Sequence, residues 1–443
     1  MRRKIYLAFL GAGNYEPTVY CIGDKQAHKT PYVQVAEIEL YGKYYFDKIY
    51  IVVTSTSKEK HFNKLLEEFS ELGIDKDLVD YIEISEELDT KHQWKGFETI
   101  LDKIQKHDEL VVDLTHGFRI IPIVFSTAIY FLQKIKKISL TAVYYGAYEK
   151  DKNKAPIIDI KDFYIVNEWA DAIGRLVDDA DTGKLAYIAS QDNKDFRLNE
   201  LKQKELLKSF EEITKSIKGV ELNQISLKAC DIINTINRIS QNNNISITTS
   251  ILLSIINNKF KPLASKEVEL YSKEYFDIQL NFIELLLEHK LFMQCFTAMR
   301  EFIISIADME VKKQIQRLFE TEWQNKGNKK RKKYLLNSRK YLSDKIIGML
   351  RAEEKDWDLR SYIDPDGEKG KKILLPVYNK FREIGIEDKL RKLVPELVKY
   401  RNGFDHGWTN CKEQRLADDI DQKAKEFYKM LQDVNNTFSK KLQ

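Results

Sequence analysis

Val111-Val112-Asp113-Leu114-Thr115-His116-Gly117-Phe118-Arg119 passes from an apolar, β-branched run into a string of hydrogen-bonding and cationic groups. The first half reads as the end of a buried strand, and the second as a loop entering a helix near Ile120. Thr115 and His116 offer hydrogen bonds, Gly117 permits a tight turn, and the Arg119 guanidinium suits a phosphate. Ligands of open α/β sheets sit beyond the carboxyl ends of the strands, where this loop falls. A lone Asp113 would do no more than order the loop or cap the helix. Several polar groups together point to a ligand site.

Working outward, residues 5–10, 48–54, 80–84 and 140–145 join 110–114 as short apolar, strand-like runs. Between them, 32–41, 59–72, 94–106 and 120–135 carry helical periodicity, so βαβ units and a mostly parallel sheet are expected. Residues 18–30, with Gly23-Asp24 at the turn, read as a hairpin inserted after the first strand. From about Asn167 the pattern is helical throughout: 168–176, 198–216, 224–239, 247–256, 274–289 and 292–309. The expected organisation is an α/β Rossmann-like domain over 1–166, a helical connector over 167–270 and an all-α domain over 271–443. Residues 241–244 and Asp364-Pro365-Asp366-Gly367 read as turns.

At 443 residues the chain exceeds a single core, and 43% hydrophobic residues suffice for globular folding. Lys and Arg total 72 against 68 acids, so any nucleic-acid role rests on local patches. The clearest is Lys329-Lys330-Arg331-Lys332-Lys333, which reads equally as a solvated helix start or as a phosphate-backbone contact. Cys21, Cys230, Cys295 and Cys411 are scattered, which argues for a reducing cytoplasm and against a zinc or disulfide framework. The N-terminal apolar run is too short for a signal peptide, and no stretch approaches the ~20 apolar residues of a membrane span.

Three other loops would share the rim with Thr115 and His116. Gly11, Ala12, Gly13 and Asn14 follow the first strand, where glycine lets backbone N–H groups approach an anion. A dinucleotide fingerprint needs a third glycine and a helix opening at once; Glu16-Pro17 intervenes, which argues against a dehydrogenase. Thr54 and Ser55 follow the second strand, and Tyr145 and Gly146 follow the fifth. Near the C-terminus, Lys399-Tyr400-Arg401-Asn402-Gly403-Phe404-Asp405-His406-Gly407 sets a guanidinium, a carboxamide and an imidazole close together. Such groups hold a phosphate, stabilise charge on it and move a proton near neutral pH. On a straight helix Arg401 and His406 lie about 140° apart, and Asn402 and His406 share a face. Pro395 is tolerable only near the first turn of a helix over 393–400.

Arg401-Asn402-Gly403-Phe404-Asp405-His406 resembles the Arg-(polar)-x3–4-His motif of HEPN ribonucleases. Residues 9–15, the Asp113–Arg119 string and Tyr144-Tyr145-Gly146-Ala147 resemble CARF domains, the Rossmann-like sensors of CRISPR-associated proteins. Together the chain resembles the CARF–HEPN ancillary ribonucleases of type III CRISPR systems. The resemblance implies a homodimer activated by cyclic oligoadenylate, with cyclic tetra-adenylate the preferred ring. It implies cleavage of single-stranded RNA without a metal ion, with Arg401, Asn402 and His406 catalytic. Gly11, Ala12, Gly13, Asn14, Thr54, Ser55, Thr115, His116, Gly117, Arg119, Tyr145 and Gly146 would hold the activator, with slow activator degradation as a secondary activity. The alternative is a nucleotide-sensing regulator whose helical domain binds nucleic acid or a partner without cleaving.

Overall fold

Strand β1 (Lys4–Phe9) sends Tyr6 and Ala8 into one apolar core and Ile5, Leu7 and Phe9 into another. Alternate side chains of a strand leave opposite faces, so a strand apolar on both belongs inside a sheet covered on both sides. The computed structural model describes residues 2–87, 89–116, 121–149, 154–190, 198–242, 245–360, 364–407 and 419–440. It divides into Met1–Trp169 and Ala170–Gln443.

In the first unit, β2 (Thr18–Ile22), β3 (Lys25–Thr30), β4 (Lys48–Val53), β5 (Val79–Glu83), β6 (Glu109–Asp113), β7 (Ser139–Gly146) and β8 (Lys154–Asp159) complete an eight-stranded sheet. Its order is β3-β2-β8-β7-β6-β1-β4-β5, and β7-β6-β1-β4-β5 are parallel. All five parallel strands therefore end at one rim. One face is covered by α1 (Val33–Tyr41) and α2 (Asn63–Glu71), the other by α3 (Thr90–Lys103) and α4 (Ile121–Ile135).

The helical run of α2 starts earlier than expected, at Ser55, and widens into a π turn over Lys58–Phe62. The β2–β3 hairpin forms as expected around Gly23, whose φ is 56°. β8 was not expected. Its sequence carries charge at both ends and Pro156 in the middle, and only Ala155 and Ile157 face inward, so no apolar run marks it. It pairs parallel with β2 and antiparallel with β7, joining the hairpin to the main sheet.

The second unit is helical. Helix α5 (Lys161–Asp179) crosses the division, and α6 (Gly183–Ala189), α7 (Lys204–Lys218), α8 (Leu222–Ser240) and α9 (Ile247–Phe260) follow. Then come α10 (Lys273–Glu288), α11 (Phe292–Thr321), α12 (Gly327–Ser338), α13 (Asp344–Arg351), α14 (Glu368–Glu383), α15 (Glu387–Asp405) and α16 (Ile420–Ser439). α11 is buried on every side from Phe302 to Val311, with α10, α12, α14, α15 and α16 packed around it. A helix buried all round belongs at the centre of its unit, and the buried Asp308 of α11 is met there by the Ser338 and Ser343 hydroxyls.

Pro395 falls in the third turn of α15, a correction to its expected first-turn position. The missing N–H and the ring clash cost about 3 kcal/mol. Burial of Leu390, Leu393, Val394, Leu397 and Val398 outweighs this, at about 1.5–3 kcal/mol for each side chain. The Asp364 turn forms as read, with Gly367 at φ 75° and the Asp364 carboxylate accepting from Gly370 N–H.

Candidate functional site

The loop after β6 is tied to its neighbours by one threonine. Asp113 Oδ1 accepts hydrogen bonds from Thr115 N–H at 2.8 Å and from the Thr115 hydroxyl. Thr115 Oγ1 in turn accepts from Gly146 N–H at 2.7 Å, so the ends of β6 and β7 are clamped together. Gln34, near the start of α1, donates from Nε2 to Phe9 O at 2.8 Å and to Asp113 Oδ2 at 3.3 Å, adding the end of β1.

Two glycines permit this closeness. A Cβ on Gly146 would lie 2.8 Å from Val33 Cγ2, and one on Gly11 would lie 2.8 Å from the His116 carbonyl oxygen. Gly13 has open space there, and both Gly13 and Asn14 are exposed.

The groups beneath the rim are acidic and dry. Burial pushes Asp113 up to about 7, against hydrogen bonds from Thr115 and Gln34 that pull it down. Burial, and then the charge of Asp113, also raise Glu37 well above the usual carboxylate range. Tyr6 OH donates to Glu37 Oε2 at 2.7 Å, and Glu37 Oε1 and Gln34 Oε1 have no partner among the described residues.

Above them lies an aromatic group. Tyr15 OH donates to Gly11 O at 2.7 Å, and its ring sits 4.4 Å from His116 and 4.6 Å from His61. His61 Nε2 donates to Gly13 O at 2.8 Å, and its Nδ1 faces Tyr32 OH at 3.3 Å. Burial, helped by the nearby His61, lowers His116 to about 4, so its ring is neutral at pH 7. Its Nε2 is buried with no partner among the described residues. An orphaned buried nitrogen is a standing cost that a hydrogen-bonding ligand removes.

The β4 loop differs. Thr54 is buried, and its hydroxyl accepts from Ser57 N–H at 3.2 Å in a reciprocal cap, so it serves the local fold. Ser55 is exposed beside Glu86, whose carboxylate accepts from Thr56 N–H at 3.0 Å and is held down to about 2, mainly by the Thr56 side chain. The adjoining cavity of about 460 Å³ is lined by Glu83, Glu86 and Glu87 against the single cation Lys95, with His92 beside them, a balance that disfavours phosphate. Glu87, Asp89 and His92 set ligand atoms within 4.8 Å of one another. The two acids are exposed and His92 is half-buried, bonding Asp89, the N-cap of α3. Tyr145 is 47% exposed at the end of β7. Gly117 and Arg119 lie outside the described residues.

Sequence reasoning missed His61, Gln34 and Glu37. The signal was there for two of them: Val33-Gln34-Val35-Ala36-Glu37-Ile38 sets two polar groups inside an otherwise apolar run. Polar residues in such a setting are retained for a partner. His61 follows from no local pattern, since its contacts come from the far loop at Gly13.

In the helical unit, the end of α15 is sorted by face. Tyr400 and Gly403 are buried, and Phe296 packs on Tyr400 and Phe404. Tyr400 OH donates to Asp419 at 2.6 Å. Arg401, Asn402, Asp405 and His406 fall within the remaining arc of about 140°, with His406 exposed. The helix runs unbroken through Gly403. It stops where Gly407 turns left-handed at φ 60° and bonds back to Phe404 O at 3.2 Å. His406 N–H bonds Asn402 O at 3.0 Å. Arg401 Nη2 pairs with Asp405 Oδ2 at 3.2 Å on the surface, an i,i+4 contact worth about 0.3–0.5 kcal/mol.

A structural likeness spans 98% of this chain and 94% of Enterococcus italicus Csm6 bound to cyclic hexa-2'-fluoro-hexa-dAMP, at a TM-score of 0.42 and 11% identity. No family profile matches the chain. Among the described residues no helix is long and apolar enough to cross a membrane. By sequence the chain is similar to a CRISPR-associated protein of Methanocaldococcus jannaschii, 28% identical over 87 residues that span 18% of this chain and 14% of that protein.

Proposed function

We propose that this protein is a cyclic-oligoadenylate-activated, metal-independent endoribonuclease acting on single-stranded RNA in type III CRISPR defence. The observation that carries it is the clamped rim of the sheet. Thr115 joins Asp113 to Gly146, Gly11 lies against His116, and an unpartnered histidine nitrogen is left beneath Tyr15. This is a built ligand site at the carboxyl ends of parallel strands. The sequence likeness to a CRISPR-associated protein supports the same assignment.

The activator contacts are the backbone of Gly11, Ala12, Gly13 and Asn14, together with Thr115, His116, Gly117, Arg119, Tyr145 and Gly146. Thr54 and Ser55 border them and contribute shape. In a homodimer the same loops of two protomers meet a ring of even symmetry.

Cleavage is transesterification in the helical unit. The ribose 2′-oxygen forms a bond to phosphorus while the bond to the 5′-oxygen breaks, leaving a 2′,3′-cyclic phosphate and a 5′-hydroxyl. His406 of one protomer takes the 2′-hydroxyl proton, and a second imidazole protonates the leaving oxygen. Arg401 stabilises the negative charge on the pentavalent phosphorus, and Asn402 orients the phosphate. The surface pair with Asp405 is weak enough for a phosphate to replace it.

The same pair favours a second reading, in which Arg401 is structural and the helical unit binds without cutting. Incubating labelled RNA in EDTA with cyclic tetra-adenylate, cyclic hexa-adenylate or neither separates the two. Activator-dependent cleavage is expected, and intact RNA in all three lanes would leave the binding-only regulator.

A further inference from the structure

Helix α12 breaks a local rule. Lys329, Lys330, Arg331, Lys332 and Lys333 crowd its first two turns, and no acid sits in the first turn. The N-terminal end of a helix carries the positive pole of its dipole, so cations there are repelled by the backbone and by one another. The helix gains little elsewhere: of its side chains only Tyr334 and Ser338 are buried. Tyr334 packs on Phe319 and Trp323, and the Ser338 hydroxyl donates to Asp308 at 2.6 Å. The anchors lie in the second half and hold the first half out in solvent.

Neutralising partners are few. Arg331 stands 4.0 Å from Glu320. Among the described residues, Lys329, Lys330 and Lys332 have no carboxylate within ion-pair reach. A second basic segment lies close by. Lys369, Lys371 and Lys372 fall in the first two turns of α14, after Glu368, and Lys372 pairs with Glu322, two residues from the acid that meets Arg331. Burial, and then the charge of Asp364 from the turn before α14, raise the Tyr334 hydroxyl pKa, so that turn also brings a carboxylate towards the anchored half of α12. Five successive cations thus sit at a helix start, where they oppose helix stability. Broken local rules of this kind mark functional surface.

We infer that the first two turns of α12, with the neighbouring start of α14, form a phosphate-backbone track for single-stranded RNA. This rests on the ribonuclease reading for its choice of polyanion. The track would read charge spacing and not base identity, since lysine ammonium groups are point charges on flexible stems. Each phosphate neutralised on a single strand steepens the salt dependence of binding by about 0.7 in log–log slope.

The test uses the full chain carrying His406→Ala, so that RNA is not consumed, with and without Lys329→Ser/Lys330→Ser/Lys332→Ser. The probe is a fluorescein-labelled 20-nucleotide oligouridylate, titrated by anisotropy from 50 to 200 mM KCl in EDTA. Losing three contacts should lower the slope by about 2 and weaken binding on the order of ten-fold or more at 100 mM salt. A triple Lys→Arg variant should bind as the parent does. Helical circular dichroism must match the parent, since these side chains bury nothing.

An unchanged slope and affinity in the Ser variant overturns the inference, as does a parent that binds no RNA. Co-sedimentation of the same variants with phosphatidylserine vesicles is run alongside, and a loss seen there but not with RNA overturns it in favour of a membrane surface. The two readings fail separately. A protein with intact His406 that cuts RNA equally well with and without the three lysines loses the track and keeps the nuclease. One that binds RNA through them but never cuts keeps the track and loses the nuclease.

Discussion

Replacing Thr115 with valine keeps the β-branched shape and deletes one oxygen that makes two bonds. That oxygen donates to Asp113 Oδ1 and accepts from Gly146 N–H at 2.7 Å. A hydrogen bond to a carboxylate is worth about 1.5–3 kcal/mol, and an orphaned buried N–H costs about 1–3 kcal/mol. Gly146 is buried, so water does not replace the lost partner. The two losses share one atom and do not simply add, which gives about 2–4 kcal/mol. For a unit the size of Met1–Trp169, each kcal/mol moves Tm by about 2–4 °C, so a fall of roughly 5–15 °C is expected. Thr115→Ser restores the oxygen and should recover most of it. Scanning calorimetry reads the melting, and titration with cyclic tetra-adenylate reads the rim, where Thr115→Val should weaken binding. A Thr115→Val protein that melts within about 1 °C of wild type would refute the clamp.

The buried acids make stability depend on pH with a definite sign. Asp113 is raised to about 7 from an ordinary 3.8, so the folded chain keeps a proton that the unfolded chain releases between those values. Stability from this group is full below about pH 4 and falls as pH rises through about 7, by on the order of 4 kcal/mol in all. Urea midpoints at pH 5, 6 and 7 should decline in wild type and decline less in Asp113→Asn; parallel curves would remove Asp113 from the effect. Gly146→Ala should cost about 1–3 kcal/mol because Val33 is fully buried and has no room to retreat, whereas Gly13→Ala should leave Tm unchanged. Equal effects at the two sites would contradict the close approach. In the helical unit, Arg401→Ala should slow RNA cleavage on the order of 10²-fold, while Asp405→Ala stays within about three-fold. Matching losses would mean that the pair is structural.

Much of the first unit was legible because parallel strands buried on both faces leave unbroken apolar runs, as in Ile49-Tyr50-Ile51-Val52-Val53. β8 was not, because Ala155 and Ile157 alone face inward and Pro156 interrupts them. The helical unit was legible by period, but the span of α15 was not. Pro395 argued for a start beside it, and only the burial of aliphatic residues before and after it overrides that preference. The rim was half legible. Loops at strand ends announced Gly11, Thr115 and Gly146, yet nothing local separates Thr54, whose hydroxyl is spent on its own cap, from Thr115, which joins two strands. Ser55, read from its strand end as a rim residue, has Glu86 beside it from the next loop. Long-range charge is what sequence spacing leaves out.

The central claim is that a nucleotide bound at the sheet rim turns on an Arg401–His406 nuclease. The most direct measurement is the rate of cleavage of single-stranded RNA in EDTA with and without cyclic tetra-adenylate, for wild type and His406→Ala side by side. The account predicts activator-dependent cleavage by wild type alone, 2′,3′-cyclic phosphate ends on the product, and equal activator affinity in both proteins. Cleavage by His406→Ala at the wild-type rate would contradict it, and so would wild-type cleavage indifferent to the activator.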